Sequence, residues 1–321
     1  MLERCKFLII AVVLGMICPA IFTSFIQKNT TEIIAYEPTA NVQTESDIAD
    51  VLSISVLMHD GSVRLMNLNE YLTCVVLREM PIKFDIEALK AQAVVARTYA
   101  LRRSTTGGKH DNAAVCTSAD CCQGYWDISE YLNNGGKQVD IEKIQNAVHM
   151  TSDLVLVYNG ELIDATYFSC SGGVTEDAIS VWGEEIPYLQ STESPGEEKA
   201  VHYVDTVSFK TKDFLRLLDL GNHRKVDIRN ISYTKGGGVD MIAVCGKNFK
   251  GTEMRQKLGL RSTAFVISVV ADTVTITTKG FGHRVGMSQY GADAMAVSGA
   301  SFPEILAHYY HETQLVAYNG N

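Results

Sequence analysis

The spacing of hydrophobic positions changes along the chain, and each change marks an element. Apolar residues run from Phe7 to Ile26, broken only by Gly15, Pro19, Thr23 and Ser24. That is about the ~20 residues needed to cross a bilayer, and Arg4 and Lys6 lie on the side the positive-inside rule assigns to the cytoplasm. A single-pass anchor over residues 1–27 is expected, holding the remainder outside the cytoplasm at the cell membrane. A cleaved signal peptide ending near Cys18-Pro19-Ala20 is the alternative. Residues 28–50 are polar, poor in aromatics and aperiodic, as in a flexible tether.

From residue 51 the pattern is that of a folded domain, expected over 51–317. Alternation in 51–57 and 62–65 around His59-Asp60-Gly61 predicts a β-hairpin. Residues 69–76 predict a short helix or strand. Asp85 caps a predicted helix over Ile86–Arg103, with Glu87 in its first turn and arginines at its end. Leu89, Ala93, Ala96 and Ala100 form one face of it, and small side chains there permit close packing. Residues 104–127 read as loop and 141–150 as helix. The runs 154–158 and 162–167 flank Asn159-Gly160, a strong hairpin signal. Residues 172–205 read mostly as loop. A helix is predicted at 211–220, strands at 226–233 and 239–245, a helix at 252–258, and strands at 264–270 and 274–278. Helices at 288–297 and 302–310 close the chain, the last with Ser301 as its cap. The elements do not alternate as β-α-β, so the predicted class is α+β.

Composition narrows the function. The chain has 321 residues, 46% of them hydrophobic, enough for a sizeable core. A net charge of −9 supplies no basic face for nucleic acid. Eight cysteines are unevenly spread. Cys116, Cys121 and Cys122 crowd one loop, and the others suggest no disulfide framework.

Four segments carry candidate chemistry. Glu79 lies in Leu77-Arg78-Glu79-Met80-Pro81, where the proline ends any regular element. Apolar neighbours would raise the pKa of such an acid and make it a proton donor. Arg97 lies on the helix that follows. His110, Cys116 and Cys122, with Cys121 as a spare thiol, offer zinc an imidazole and thiolates. A disulfide, or thiols without a role, are the alternatives. Tyr167, Ser169, Ser171, Gly172 and Gly173 end a strand with small hydroxyls and glycines, either a polar wall for a sugar or an ordinary turn. The segment Gly280–Gly291 lacks the lysine of a phosphate loop. Its His283, Gln289 and Tyr290 are either ligand contacts or helix-terminal packing.

Taken in order, the L-R-E-M-P stretch, the Glu87–Ala100 helix, the His110/Cys116/Cys122 loop, Thr166–Gly173 with Val181-Trp182-Gly183, and Gly280–Met295 resemble the stage II sporulation protein D family of endospore formers. The resemblance covers roughly residues 50–317. It implies an α+β fold around a glycan groove and a lytic transglycosylase acting on peptidoglycan strands stripped of stem peptides. It also implies a peptidoglycan amidase or endopeptidase and a membrane partner during engulfment of the forespore, with the domain on the mother-cell side of the intermembrane space. Glu79 then matches the catalytic glutamate and Arg97 an arginine needed for activity. His110, Cys116 and Cys122 match a site-supporting Zn2+ site, and the S-x-S-G-G and G-x-G-H segments match the groove wall. A zinc-stabilised, membrane-tethered glycan-binding scaffold is the competing expectation. Arg284 stands where the family commonly has glycine. If the position needs a positive φ the arginine is strained; otherwise the loop gains a charge.

Overall fold

A computed structural model describes residues 52–318, which belong to one compact unit. The expected anchor and tether lie outside the described residues. Among the described residues no helix is long and apolar enough to cross a membrane.

The helix Ile86–Thr106 is the axis of the larger core. Asp85 caps it by accepting the Glu87 N–H at 2.9 Å. The predicted small-residue face is fully buried, but so are Val94, Arg97 and Thr98 beside it. The helix is enclosed nearly all round, by Leu68–Glu79, Gln138–Met150, Gln289–Val297, Phe302–Tyr309 and strand Leu154–Tyr158. Burial of that many apolar groups is the main stabilising term.

The predicted hairpins form. Ser53–Leu57 pairs antiparallel with Val63–Asn67, and Val115–Cys116 adds in parallel from within the cysteine loop. Asn159 and Gly160, at φ 52° and 84°, turn Leu154–Tyr158 into Glu161–Leu162. The second strand is shorter than its pattern predicts, because Tyr167–Phe168 leaves this sheet to pair in parallel with Met287–Ser288. The other edge of the sheet is Gln314–Ala317, which no sequence signal marked.

Residues 204–279 form a second core around Phe214, Ile242, Phe249, Met254 and Ile276. Its principal sheet runs Phe265–Val270, Thr273–Lys279, Val204–Lys210, all antiparallel. Val274 and Ile276 point inward while Thr275 and Thr277 face out, the period-2 pattern of a half-buried sheet. This lobe is inserted between two chain segments that meet again across the Tyr167–Phe168/Met287–Ser288 pairing.

Arg284 fastens the lobe. Its φ is 69°, so the position does require the left-handed region, which costs a non-glycine residue on the order of 1 kcal/mol. The side chain is 2% exposed and pairs with the equally buried Glu176 at 3.2 Å. It also donates to the carbonyls of Ser171, Val174 and Gly236. Glu176 in turn accepts from Thr234 Oγ1 and the Gly238 N–H in the inserted lobe. The charge on this loop is therefore internal, and its partners offset the backbone strain.

Candidate active site

Glu79 is the last residue of its helix. Met80 closes the final turn, and Pro81 prevents continuation. The carboxyl points into a cavity of about 660 Å3, whose walls come from the cysteine loop, from 164–169 and from 281–289. Burial raises the Glu79 pKa; the N–H of Gly124, donating at 2.5 Å, and the Tyr167 and Gln289 side chains facing it pull the other way. The carboxylate-destabilising C-terminal end of the helix dipole acts in the same direction as burial. An enclosed acid whose pKa is raised by burial is suited to general-acid work.

Gly124 makes this approach possible. A Cβ there would lie 2.9 Å from Glu79 Oε1 and 2.8 Å from Arg78 Cγ. Sequence offered no sign of this, because Gly124 lies 45 residues from its partner in an irregular loop.

The other predicted residues divide into two groups. Tyr167, Ser169, His283 and Gln289 line the cavity with Glu79. His283 Nδ1 accepts the Val285 N–H, and burial depresses its pKa to about 4, so the ring is neutral. Ser171, Gly172, Gly173 and Tyr290 are not among the lining residues. Ser171 is wholly buried, and its N–H and hydroxyl both donate to Glu197, as does the Gly172 N–H. Glu197 also accepts from Ser194, which bonds to Tyr309. The motif's small polar groups thus serve an internal carboxylate. Tyr290 packs edge-on against Phe84, with ring centroids 4.9 Å apart.

Arg97 also lies outside the cavity wall. Its side chain is 1% exposed. Nη1 donates to the carbonyls of Thr151 at 2.7 Å and Leu154 at 3.3 Å; Nη2 donates to Val148 O at 3.2 Å and Asn69 Oδ1 at 3.4 Å. The guanidinium therefore caps the C-terminus of Gln138–Met150, where a cation is favoured. Through Asn69 it also touches the helix that ends in Glu79. Burial lowers its pKa to about 10, which leaves it charged at neutral pH. Helical spacing put Arg97 on the correct helix, but it did not reveal which neighbour that face meets.

The soft ligands do converge. The ligand atoms of His110, Cys116, Cys121 and Cys122 lie within 4.8 Å of one another. His110 Nε2 is 3.6 Å from Cys121 Sγ and 3.5 Å from Cys122 Sγ, and the two sulfurs are 3.9 Å apart. The edges of a zinc tetrahedron with Zn–S of ~2.3 Å and Zn–N of ~2.0–2.1 Å are about 3.5–3.8 Å, so the donor set fits that ion. Cys121 lies within this cluster and offers a fourth donor atom. All three loop cysteines are free thiols here.

Four lining residues carried no sequence signal as site residues, Arg103, Lys109, Asp120 and Asp164; a fifth, Trp182, belongs to the Val181-Trp182-Gly183 stretch of the resemblance but had no role assigned. Asp164 is paired with Arg103 at 3.1 Å.

Fold and site together describe an α+β protein in which an enclosed acid faces a polar cavity beside a loop whose His and Cys donors converge. Residues 59–158 match the stage II sporulation protein (SpoIID) family model. Stage II sporulation protein D of Bacillus amyloliquefaciens is 39% identical over 254 residues, 78% of this chain and 74% of that protein. The protein of the same name from Bacillus subtilis (strain 168) is 38% identical over 259 residues, 79% and 76% of the two chains. An amidase enhancer of the same strain is 29% identical over 301 residues, covering 76% of this chain and 40% of that protein. The chain belongs to the stage II sporulation protein D family, and is thereby a sporulation-related protein.

Proposed function

We propose that this protein is a lytic transglycosylase cleaving peptide-free peptidoglycan strands during engulfment of the forespore. The observation that carries the reading is Glu79, a single enclosed acid with a raised pKa, facing an open polar cavity. Glycoside hydrolysis ordinarily uses two carboxyl groups flanking the bond. Of the other acids on the wall, Asp164 is committed to Arg103 and Asp120 is exposed rather than enclosed.

Lytic cleavage needs one acid. Glu79 gives its proton to the glycosidic oxygen as the bond to the muramyl C1 breaks. The resulting carboxylate takes the proton from the muramyl 6-hydroxyl, whose oxygen bonds to C1. A 1,6-anhydro end forms, no water is consumed, and Glu79 is again protonated. Gly124 and the Tyr167 and Gln289 side chains position the carboxyl in both protonation states. His110, Cys116, Cys121 and Cys122 would hold Zn2+ with all four positions filled by protein, which is the donor set of a structural site. Bound there, the ion would brace the loop that presents Gly124.

The N-terminal apolar run would anchor the protein in the membrane, with the domain extracytoplasmic and facing the wall between mother cell and forespore. A peptidoglycan amidase would supply the peptide-free strands, and a membrane partner would hold the complex. The amidase enhancer among its relatives favours a second reading: a glycan-bound, zinc-braced scaffold that recruits or activates such an amidase.

Incubating the protein with peptide-free strands and weighing the fragments tests the proposal. Ends one water lighter than reducing ends, lost in Glu79→Gln, are expected. Reducing ends would mean hydrolysis, and bound but intact strands would favour the scaffold.

A further inference from the structure

Trp182 has no counterpart in the chemistry described so far, yet it lies 44% exposed on the cavity wall. Leaving an indole in water is unfavourable, and large aromatics half-exposed in a cavity are typical of ligand contacts. The ring is also held firmly. It ends the short helix Ala178–Trp182, which Gly183 stops at φ 80° with its N–H on Ile179 O. The Ala178 N–H donates to Leu189 O, and Asp177 accepts from the Ser191 N–H.

Behind it lies an aromatic tier. The Trp182 and His283 ring centroids are 5.5 Å apart, and His283 meets Phe168 edge-on at 5.6 Å. Phe168 is buried. The neutral His283 puts no positive charge beneath the indole.

We propose that Trp182 is a stacking platform for one sugar ring of the glycan. The assignment rests on the glycan reading above and deepens it to a subsite. A pyranose presents a face of C–H groups, whose slight positive charge suits the negative face of an indole. Its hydroxyls and acetamido groups project from the rim of the ring, toward a wall that carries Asp120, Asp164, Arg103 and Lys109. That mixture suits a ring with one apolar face and polar edges. A wholly apolar ligand would desolvate those charged groups and offer no polar contact in return.

The chain has two tryptophans, so the emission of Trp182 can be isolated. Trp126 packs edge-on against Tyr131 and away from the cavity wall, and Trp126→Phe retains an aromatic ring there. The full-length protein carrying Glu79→Gln to prevent cleavage, with Trp126→Phe, is titrated with a short peptide-free strand of alternating N-acetylglucosamine and N-acetylmuramic acid. Trp182 emission is expected to shift with saturation. In the Glu79→Gln background, Trp182→Ala should weaken binding by about tenfold or more, measured calorimetrically, and Trp182→Phe by about threefold at most. In the cleaving protein, Trp182→Ala should raise KM more than it lowers kcat, the mark of binding shared by substrate and transition state. Unmoved emission with unchanged affinity of Trp182→Ala, in a protein that still binds the strand, overturns the stacking assignment alone. Failure of the Glu79→Gln protein to bind the strand overturns the glycan reading and this proposal with it.

Discussion

Arg97→Ala separates a residue that acts on substrate from one that holds the fold. Two of its four bonds are strong by geometry, to Thr151 O at 2.7 Å and Val148 O at 3.2 Å; those at 3.3 and 3.4 Å are weaker. Hydrogen bonds from a charged group are worth about 1.5–3 kcal/mol each. Thr151 O and Val148 O retain second donors, the Leu154 N–H and Thr151 Oγ1, both at 3.2 Å, so the carbonyls are not fully orphaned. The net loss, including the void left in the core, is then about 3–5 kcal/mol. That is a large share of the roughly 5–15 kcal/mol a domain possesses. Urea unfolding should show a much lower midpoint at unchanged slope. Arg97→Lys should recover only part, because one ammonium cannot span four acceptors on three elements. Activity should fall with the folded fraction. An Arg97→Ala protein that unfolds within about 0.5 kcal/mol of the parent yet has lost activity would refute the argument, and would mean the guanidinium works on substrate.

Four further outcomes follow from the geometry. Gly124→Ala should cut cleavage by up to ~100-fold by pushing the Glu79 carboxyl aside, with little change in melting; equal activity would show the approach is not needed. The raised Glu79 pKa means that protonation favours the folded state, a stabilisation complete below about pH 4.3 and lost as pH rises through the folded value. Glu79→Gln should therefore melt higher than the parent at pH 8 and alike near pH 4, and the reverse order in thermal melts would contradict the burial argument. The purified protein should bind one zinc per chain, and in the cobalt-loaded form Cys121→Ser should weaken the thiolate charge-transfer band by about a third; an unchanged band would exclude Cys121 as the fourth donor. Arg284→Gly should relieve about 1 kcal/mol of backbone strain but lose about 3–5 kcal/mol by leaving Glu176 unpaired. Adding Glu176→Gln should restore part of the lost midpoint, and no restoration would mean the pair is not what joins lobe and loop.

How much of this was legible in the residues depended on how local each cause was. The caps at Asp85 and Ser301, the Asn159-Gly160 turn and the break at Pro81 involve groups a few positions apart, and all appear where the pattern placed them. Glu79 and the His110/Cys116/Cys122 set were readable for the same reason. That Ser171 and Gly172 turn to Glu197 was not legible, because that carboxylate lies about 25 residues on in a stretch with no periodicity.

By itself, then, the sequence determined the capped helices, the hairpins, the acid before Pro81 and the soft-ligand loop, because hydrophobic period, capping and ligand chemistry act over short distances along the chain; strands such as Val204–Lys210 and Gln314–Ala317 it left unmarked. Only the tertiary structure decided what each side chain faces. It turned Arg97 onto three carbonyls, brought Cys121 in beside His110 and Cys122, and set Gly124 against Glu79. It also answered the left-handed strain at Arg284 with a buried partner 108 residues away. Those outcomes come from long-range packing, in which burial fixes the partner, and no spacing along the chain encodes it.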